Sequence, residues 1–117
     1  VEINEFAVEE MQKNIKKLDR EETAKAILAP SEKALEFIKK GSNLIVDPPR
    51  AGINREVCEK ILEIEPEKVI YLSCNPTTQA RDTAILSKKY EITYVRGYNF
   101  FPRTPHIENL IVLKLKK

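Results

Sequence analysis

Two side chains with reactive or polar chemistry follow short apolar runs typical of buried strands. Cys74 comes just after residues 69–72, and Asp47 comes directly after residues 43–46. Asn75 and Pro76 predict a helix that begins immediately after the cysteine, since asparagine is a good N-cap and proline suits the first turn. Free backbone amides and the helix dipole at such a position favour a thiolate. Cys74 is therefore a candidate nucleophile, although a small buried hydrophobe is the alternative interpretation.

The second cysteine has a different setting. Cys58 falls on the apolar stripe of a predicted helix, so we interpret it as a core residue. Two cysteines are too few for a structural zinc site, and no other cluster of metal-ligand types accompanies them. The sequence therefore predicts neither a disulfide framework nor a metal centre.

The elements that must position these side chains follow from apolar periodicity. Strand-like runs alternate with helical patterns, which predicts an α/β fold with right-handed crossovers, and ligands in such folds bind at the carboxyl ends of the strands. Asp47 and Cys74 both fall at that edge. Predicted helices cover residues 5–18, 31–40, 54–64 and 75–88, and predicted strands cover 1–3, 24–28, 43–46, 69–72, 92–98 and 107–115, the last two as antiparallel neighbours.

Composition limits the class of protein. The chain has 117 residues, 42% of them hydrophobic and 32% charged, as in a globular domain. No apolar run approaches the length of a membrane span, and the N-terminus lacks the basic and apolar pattern of a signal peptide, so we expect a cytoplasmic protein. The net charge of +2 does not by itself indicate nucleic-acid binding.

Three separated motifs change this general interpretation. The segments 47–52 (DPPRAG), 73–76 (SCNP) with the following residues to Asp82, and 101–108 (FPRTPHIE) resemble the RNA uracil-5-methyltransferase family in content and order. The opening residues Val1, Glu2 and Ile3 also resemble the second strand of that family's cofactor domain. The resemblance covers nearly the whole chain and implies a Rossmann-like class I methyltransferase sheet with an antiparallel C-terminal hairpin.

The resemblance also implies a role for each matching residue. Cys74 matches the nucleophile that attacks uracil, and Glu108 matches the general base. Glu2 matches the acid that holds the ribose of S-adenosylmethionine, and Asp47 matches a second cofactor-site acid. The implied reaction methylates carbon 5 of a uridine in tRNA or rRNA. One departure affects the cofactor's adenine end, where residues 29–31 (APS) replace the family's usual Gly-Asp pair.

The chain begins where that family's second strand lies. We therefore expect residues 1–117 to be a partial catalytic domain that lacks the first strand and its glycine-rich cofactor loop. Loss of that strand would expose backbone edges, so we expect the isolated piece to re-pair its sheet, to dimerise or to have reduced stability. We also expect it to be inactive alone.

Two rival functions remain open at this stage. The Asp47-Pro48-Pro49 motif also resembles that of amino-directed nucleic-acid methyltransferases, which need no cysteine nucleophile. A non-catalytic fragment that binds RNA or a partner chain is the other rival. Secondary candidates for RNA contact are a histidine, two phenylalanines and three arginines: His106, Phe100, Phe101, Arg50, Arg81 and Arg103.

Overall fold

The computed structural model describes residues 1–117 and divides into two compact units, Val1–Leu35 and Glu36–Lys117. In the first unit, helix α1 (Glu5–Lys17) begins at Asn4, whose side chain accepts a hydrogen bond from the Ala7 amide at 3.2 Å. Val8 is the buried residue of this helix. The helix predicted over residues 5–18 is confirmed.

The segment after α1 differs from the prediction. Of the strand predicted at residues 24–28, only a parallel bridge between Glu2 and Leu28 is present. The helix predicted over 31–40 is wrong, because the chain forms two short 3-10 turns there, Ser31–Lys33 and Leu35–Phe37. No side chain caps the first turn. Ala34, which follows it, has non-helical backbone angles and is buried. Tertiary burial has overridden a local helix propensity.

The second unit contains the predicted alternation of strands and helices. Each helix and strand begins and ends within two residues of its predicted limits. The elements are β1 (Asn43–Val46), α2 (Arg55–Ile64), β2 (Lys68–Ser73), α3 (Pro76–Leu86), β3 (Tyr90–Tyr98) and β4 (Glu108–Leu115). Asn54 and Asn75 cap α2 and α3 through their side chains, as expected of asparagine at a helix N-terminus.

The four strands form one mixed sheet in the order β1-β2-β4-β3. Strand β1 is parallel to β2, whereas β4 runs antiparallel to both β2 and β3. The antiparallel pairing predicted for the last two strands is confirmed. Strand β1 has β2 as its only partner, so of the three expected alternatives re-pairing is absent at β1, and dimerisation or reduced stability stays a prediction.

The core of the second unit lies between this sheet and helices α2 and α3, which contact each other. Cys58, Ile61, Val69, Tyr71 and Leu113 are fully buried there. The prediction that Cys58 is a core residue is confirmed, and burial raises the pKa of its thiol to about 11. No helix of the structure has the length and apolar character that a membrane crossing requires.

Candidate active site

The candidate nucleophile lies where strand β2 passes into helix α3. Cys74 is half-buried between Ser73, the last residue of β2, and the helix N-cap Asn75. The Asn75 side chain accepts a hydrogen bond from the Thr77 amide at 3.2 Å. The predicted strand end and helix start are thus both confirmed, and Cys74 lies between them.

Sheet register brings the candidate base to the same place. Ser73 is paired with Asn109 in the antiparallel β2–β4 ladder. Cys74 and Glu108 are therefore the next residues along these two strands, one step beyond the last pair. Glu108 is half-buried and is paired with Tyr98 of β3 on its other side. Two residues that are 34 positions apart in sequence thus lie at the same end of two neighbouring strands.

The third candidate of this unit, Asp47, begins the loop that follows β1 and is exposed. The middle of this loop is bonded to the helix that follows Cys74. The Arg50 carbonyl accepts hydrogen bonds from Asn75 Nδ2 and from Thr78 Oγ1, both at 3.0 Å. Helix α3 therefore fixes the loop after β1 relative to Cys74.

A buried carboxylate completes this attachment. Asp82 is 1% exposed and accepts hydrogen bonds from the Ile53 amide at 2.7 Å and the Tyr71 hydroxyl at 2.9 Å. Arg81 Nη2 lies 2.7 Å from the same carboxylate and donates to the Ala51 carbonyl at 2.9 Å. Burial and the bond to Asp82 raise the pKa of Tyr71. Arg81 therefore holds the loop, and its contact with phosphate stays a prediction.

Gly52 lies at the centre of the held loop. Its φ of +87° is in the left-handed region, which suits glycine. A Cβ atom at this position would collide with Asp82 Oδ2 and lie 2.7 Å from Arg81 Nη2. The loop can approach α3 this closely because residue 52 has no side chain.

The candidate cofactor acid of the first unit is already partly engaged. Glu2 Oε1 accepts hydrogen bonds from the amides of Ile3 and Asn4, both at 2.8 Å. These bonds fix the carboxylate and leave Oε2 without a partner in the protein. A fixed carboxylate oxygen of this kind can accept a hydrogen bond from a hydroxyl group.

Other features lie beside or away from the site. In the loop between β3 and β4, His106 Nδ1 lies 3.3 Å from Arg50 Nη1, and the His106 ring meets Phe101 edge-on. A groove of about 500 Å³ between α2 and α3 contains none of the four candidate residues. The structure brings together no group of three or more His, Cys, Asp or Glu side chains that could hold a metal ion.

Comparison with known proteins identifies this arrangement. Residues 1–116 match the tRNA (uracil-5-)-methyltransferase family. The chain belongs to that family. Among its relatives, an RNA methyltransferase of Nanoarchaeum equitans is 44% identical over 116 residues, which are 97% of this chain and 24% of the relative. An RNA methyltransferase of Bacteroides thetaiotaomicron is 47% identical over 73 residues, 62% of this chain and 16% of the relative.

Solved structures agree with this family assignment. The tRNA (uracil-54, C5)-methyltransferase of Pyrococcus abyssi, solved with S-adenosyl-L-homocysteine, is 33% identical with a TM-score of 0.81. The match covers 96% of this chain and 27% of that protein. An rRNA methylase of Streptococcus thermophilus has a TM-score of 0.71 at 15% identity, over 99% of this chain and 71% of that one, which shows the fold alone. The class I methyltransferase fold expected from the motifs is confirmed.

The chain spans about a quarter or less of the relatives that it matches. Its fold brings Cys74 and Glu108 to one sheet edge and ties the loop after Asp47 to the helix after Cys74. Sequence reasoning missed the structural parts played by Asp82 and by Gln79, whose buried side chain donates hydrogen bonds to the Tyr71 and Asn109 carbonyls. The only local signal was that both belong to the motif that follows the cysteine.

Proposed function

We propose that the full-length protein transfers a methyl group from S-adenosylmethionine to carbon 5 of a uridine in tRNA or rRNA through a covalent adduct on Cys74. The observation that carries this proposal is the register of β2 and β4, which makes Cys74 and Glu108 the next residues beyond the Ser73–Asn109 pair. Membership of the family favours carbon 5 over an amino group as the acceptor.

The proposed chemistry needs both residue types at this edge. Carbon 5 of uracil is a weak nucleophile, but a bond from the Cys74 thiolate to carbon 6 makes an enolate in which carbon 5 is nucleophilic. Carbon 5 then takes the methyl group. Glu108 accepts the proton that carbon 5 must lose, and the electrons of that C–H bond re-form the double bond as the Cys74 sulfur leaves.

The residues present fit the cofactor in part. S-adenosylmethionine, when bound, would supply an electrophilic methyl group on a sulfonium. In this chain the free Oε2 of Glu2 can accept from a ribose hydroxyl, because its partner oxygen is held by two backbone amides. Asp47 is exposed at the carboxyl end of β1, where ligands of open α/β sheets bind.

The two catalytic assignments can be separated by trapping the adduct. In the full-length enzyme with a uridine-containing RNA, Cys74→Ala should abolish both turnover and covalent attachment. Glu108→Gln should lose turnover but accumulate a protein–RNA adduct that survives denaturation and carries the transferred methyl group, because glutamine is not a useful base. Denaturing gel electrophoresis followed by mass spectrometry measures both results.

Matched controls come from the same chain. Cys58→Ala removes the buried thiol, and Glu91→Gln changes an exposed acid of β3, so both should retain turnover. Robust turnover by Cys74→Ala would remove the covalent mechanism and favour an amino-directed enzyme. RNA binding by the wild-type protein with no methyl transfer to any RNA would favour the non-catalytic role. An adduct on Cys58 would show that the wrong cysteine was chosen.

A further inference from the structure

An exposed row of aromatic and cationic side chains borders the proposed site. Tyr94, Arg96 and Tyr98 alternate along β3 and therefore project from one face of the sheet. Phe100 follows just beyond the end of the strand. We call these four residues the aromatic row. Strand β3 is an edge strand of the sheet, so the row lies at its rim.

The members of the row contact one another. The rings of Tyr98 and Phe100 are stacked with their centroids 5.5 Å apart and their planes 17° from parallel. The guanidinium carbon of Arg96 lies 5.3 Å from the centre of the Tyr98 ring. A hydrogen bond from Arg96 also lowers the pKa of Tyr94. The row therefore presents a preassembled π surface that includes a positive charge.

Core packing does not account for this surface. Phe100 is 63% exposed and Tyr94 is 42% exposed, and the apolar core of this unit lies elsewhere, around Tyr71 and Leu113. Aromatic rings held parallel in solvent are suited to stack on another flat, partly polar group.

Charge and position indicate which flat group stacks on the aromatic row. Residues 92–107 contain two arginines and one histidine but no aspartate or glutamate, so this stretch is complementary to a polyanion. Tyr98 is the direct cross-strand partner of Glu108, the proposed base. The row thus begins beside the reacting centre and extends away from it along β3.

We propose that the aromatic row binds the single-stranded nucleotides next to the target uridine, with bases stacked on Tyr98 and Phe100 and Arg96 against a base or phosphate. This inference rests on the proposed RNA substrate. An enzyme that modifies a base must take it out of the stack, and the flanking bases then lose their own stacking partners. Aromatic and arginine surfaces replace that stacking with little dependence on sequence.

The test uses the full-length enzyme and a methylatable RNA stem-loop. Phe100→Leu keeps an apolar side chain but removes the ring, so kcat/KM for RNA should fall about tenfold, the loss of one stacked base. Phe100→Tyr keeps the ring and should retain most of the wild-type kcat/KM for RNA. The KM for S-adenosylmethionine should stay the same in both. Phe37→Leu, at an equally apolar residue that is 46% exposed, is the matched control and should behave as wild type.

A second measurement does not depend on catalysis. RNA with 4-thiouridine next to the target should cross-link on irradiation to the tryptic peptide of residues 97–103, which contains Tyr98 and Phe100. A cross-link confined to other peptides, together with an unchanged kcat/KM in Phe100→Leu, would overturn the inference. So would a dimer that Phe100→Leu dissociates without any effect on RNA kinetics. If wild type methylates no RNA uridine, the proposed function fails, and cross-linking alone still decides whether the row contacts RNA.

Discussion

Gln79 and Asn109 are joined by reciprocal hydrogen bonds. Asn109 Nδ2 donates to Gln79 Oε1 at 2.6 Å, and Gln79 Nε2 donates to the Asn109 carbonyl at 3.0 Å and the Tyr71 carbonyl at 2.9 Å. Gln79 is fully buried on α3, and Asn109 is the neighbour of Glu108 on β4. The helix after Cys74 is thereby fixed to the strand that carries Glu108.

This pair should contribute measurably to stability. In a double-mutant cycle with Gln79→Ala and Asn109→Ala, we expect a coupling free energy of roughly 1–2 kcal/mol, because the side-chain bond is largely shielded from water. Urea unfolding of the four proteins measures it. The exposed pair Arg55–Glu59 is the control and should couple by less than about 0.5 kcal/mol. A coupling near zero for Gln79 and Asn109 would contradict the structural role.

Gly52→Ala should destabilise the protein by roughly 1–3 kcal/mol, since the new methyl group has both an unfavourable φ and a collision with Asp82. Gly41→Ala is a matched control: its φ is +72°, but a Cβ there meets nothing within 4 Å. The difference between the two free energies of unfolding isolates the contact with α3. Equal losses in both variants would show that the contact contributes nothing.

Stability should fall at alkaline pH through Cys58. Burial raises the pKa of its thiol from 9.0 to about 11, so the unfolded chain loses this proton at a lower pH than the folded protein. The resulting contribution of Cys58 to the free energy of unfolding is fully present below pH 9 and is lost as the pH rises to 11. The slope approaches about 1.4 kcal/mol per pH unit within that window. Tyr90, whose pKa burial raises from 10.0 to about 12, adds to the decline only above pH 10. Urea unfolding of Cys58→Ala between pH 9 and 10 should give a shallower slope than wild type, and equal slopes would exclude this residue as the cause.

The two candidate cofactor acids can be tested by calorimetry on the full-length enzyme. Glu2→Ala and Asp47→Ala should each weaken S-adenosylmethionine binding about tenfold or more, because each removes a charged hydrogen-bond acceptor. Glu10→Ala, an exposed acid paired with Lys13, should not. Unchanged affinity in both test variants would place the cofactor elsewhere.

The parts of the fold that sequence predicted are those with local signals. Strands β1 and β2 are short apolar runs. Asn54 and Asn75 cap helices α2 and α3 by accepting hydrogen bonds from backbone amides two residues further along. Segment 31–40 failed because the burial of Ala34 and Ile38 decides its conformation, and no local pattern records that burial.

The residues of the candidate site also divide into those with a local sequence signal and those without one. Cys74 is a candidate nucleophile because of its place between a strand and a helix, whereas Glu108 is a candidate base only through the family motif. The role of Asp82 was not predictable, because its partners Tyr71 and Ile53 lie 11 and 29 positions away along the chain. Only the folded sheet brings these groups together.

The attachment of α3 to the loop after β1 also determines how firmly each loop around the site is held. Asn75, Thr78, Arg81 and Asp82 each hold that loop, so it and Cys74 belong to one connected body. Residues 99–107 are joined to this body through the side-chain contact of His106 with Arg50. The β3–β4 loop is therefore attached less firmly than the loop after β1, and we expect its backbone amides to exchange with solvent faster.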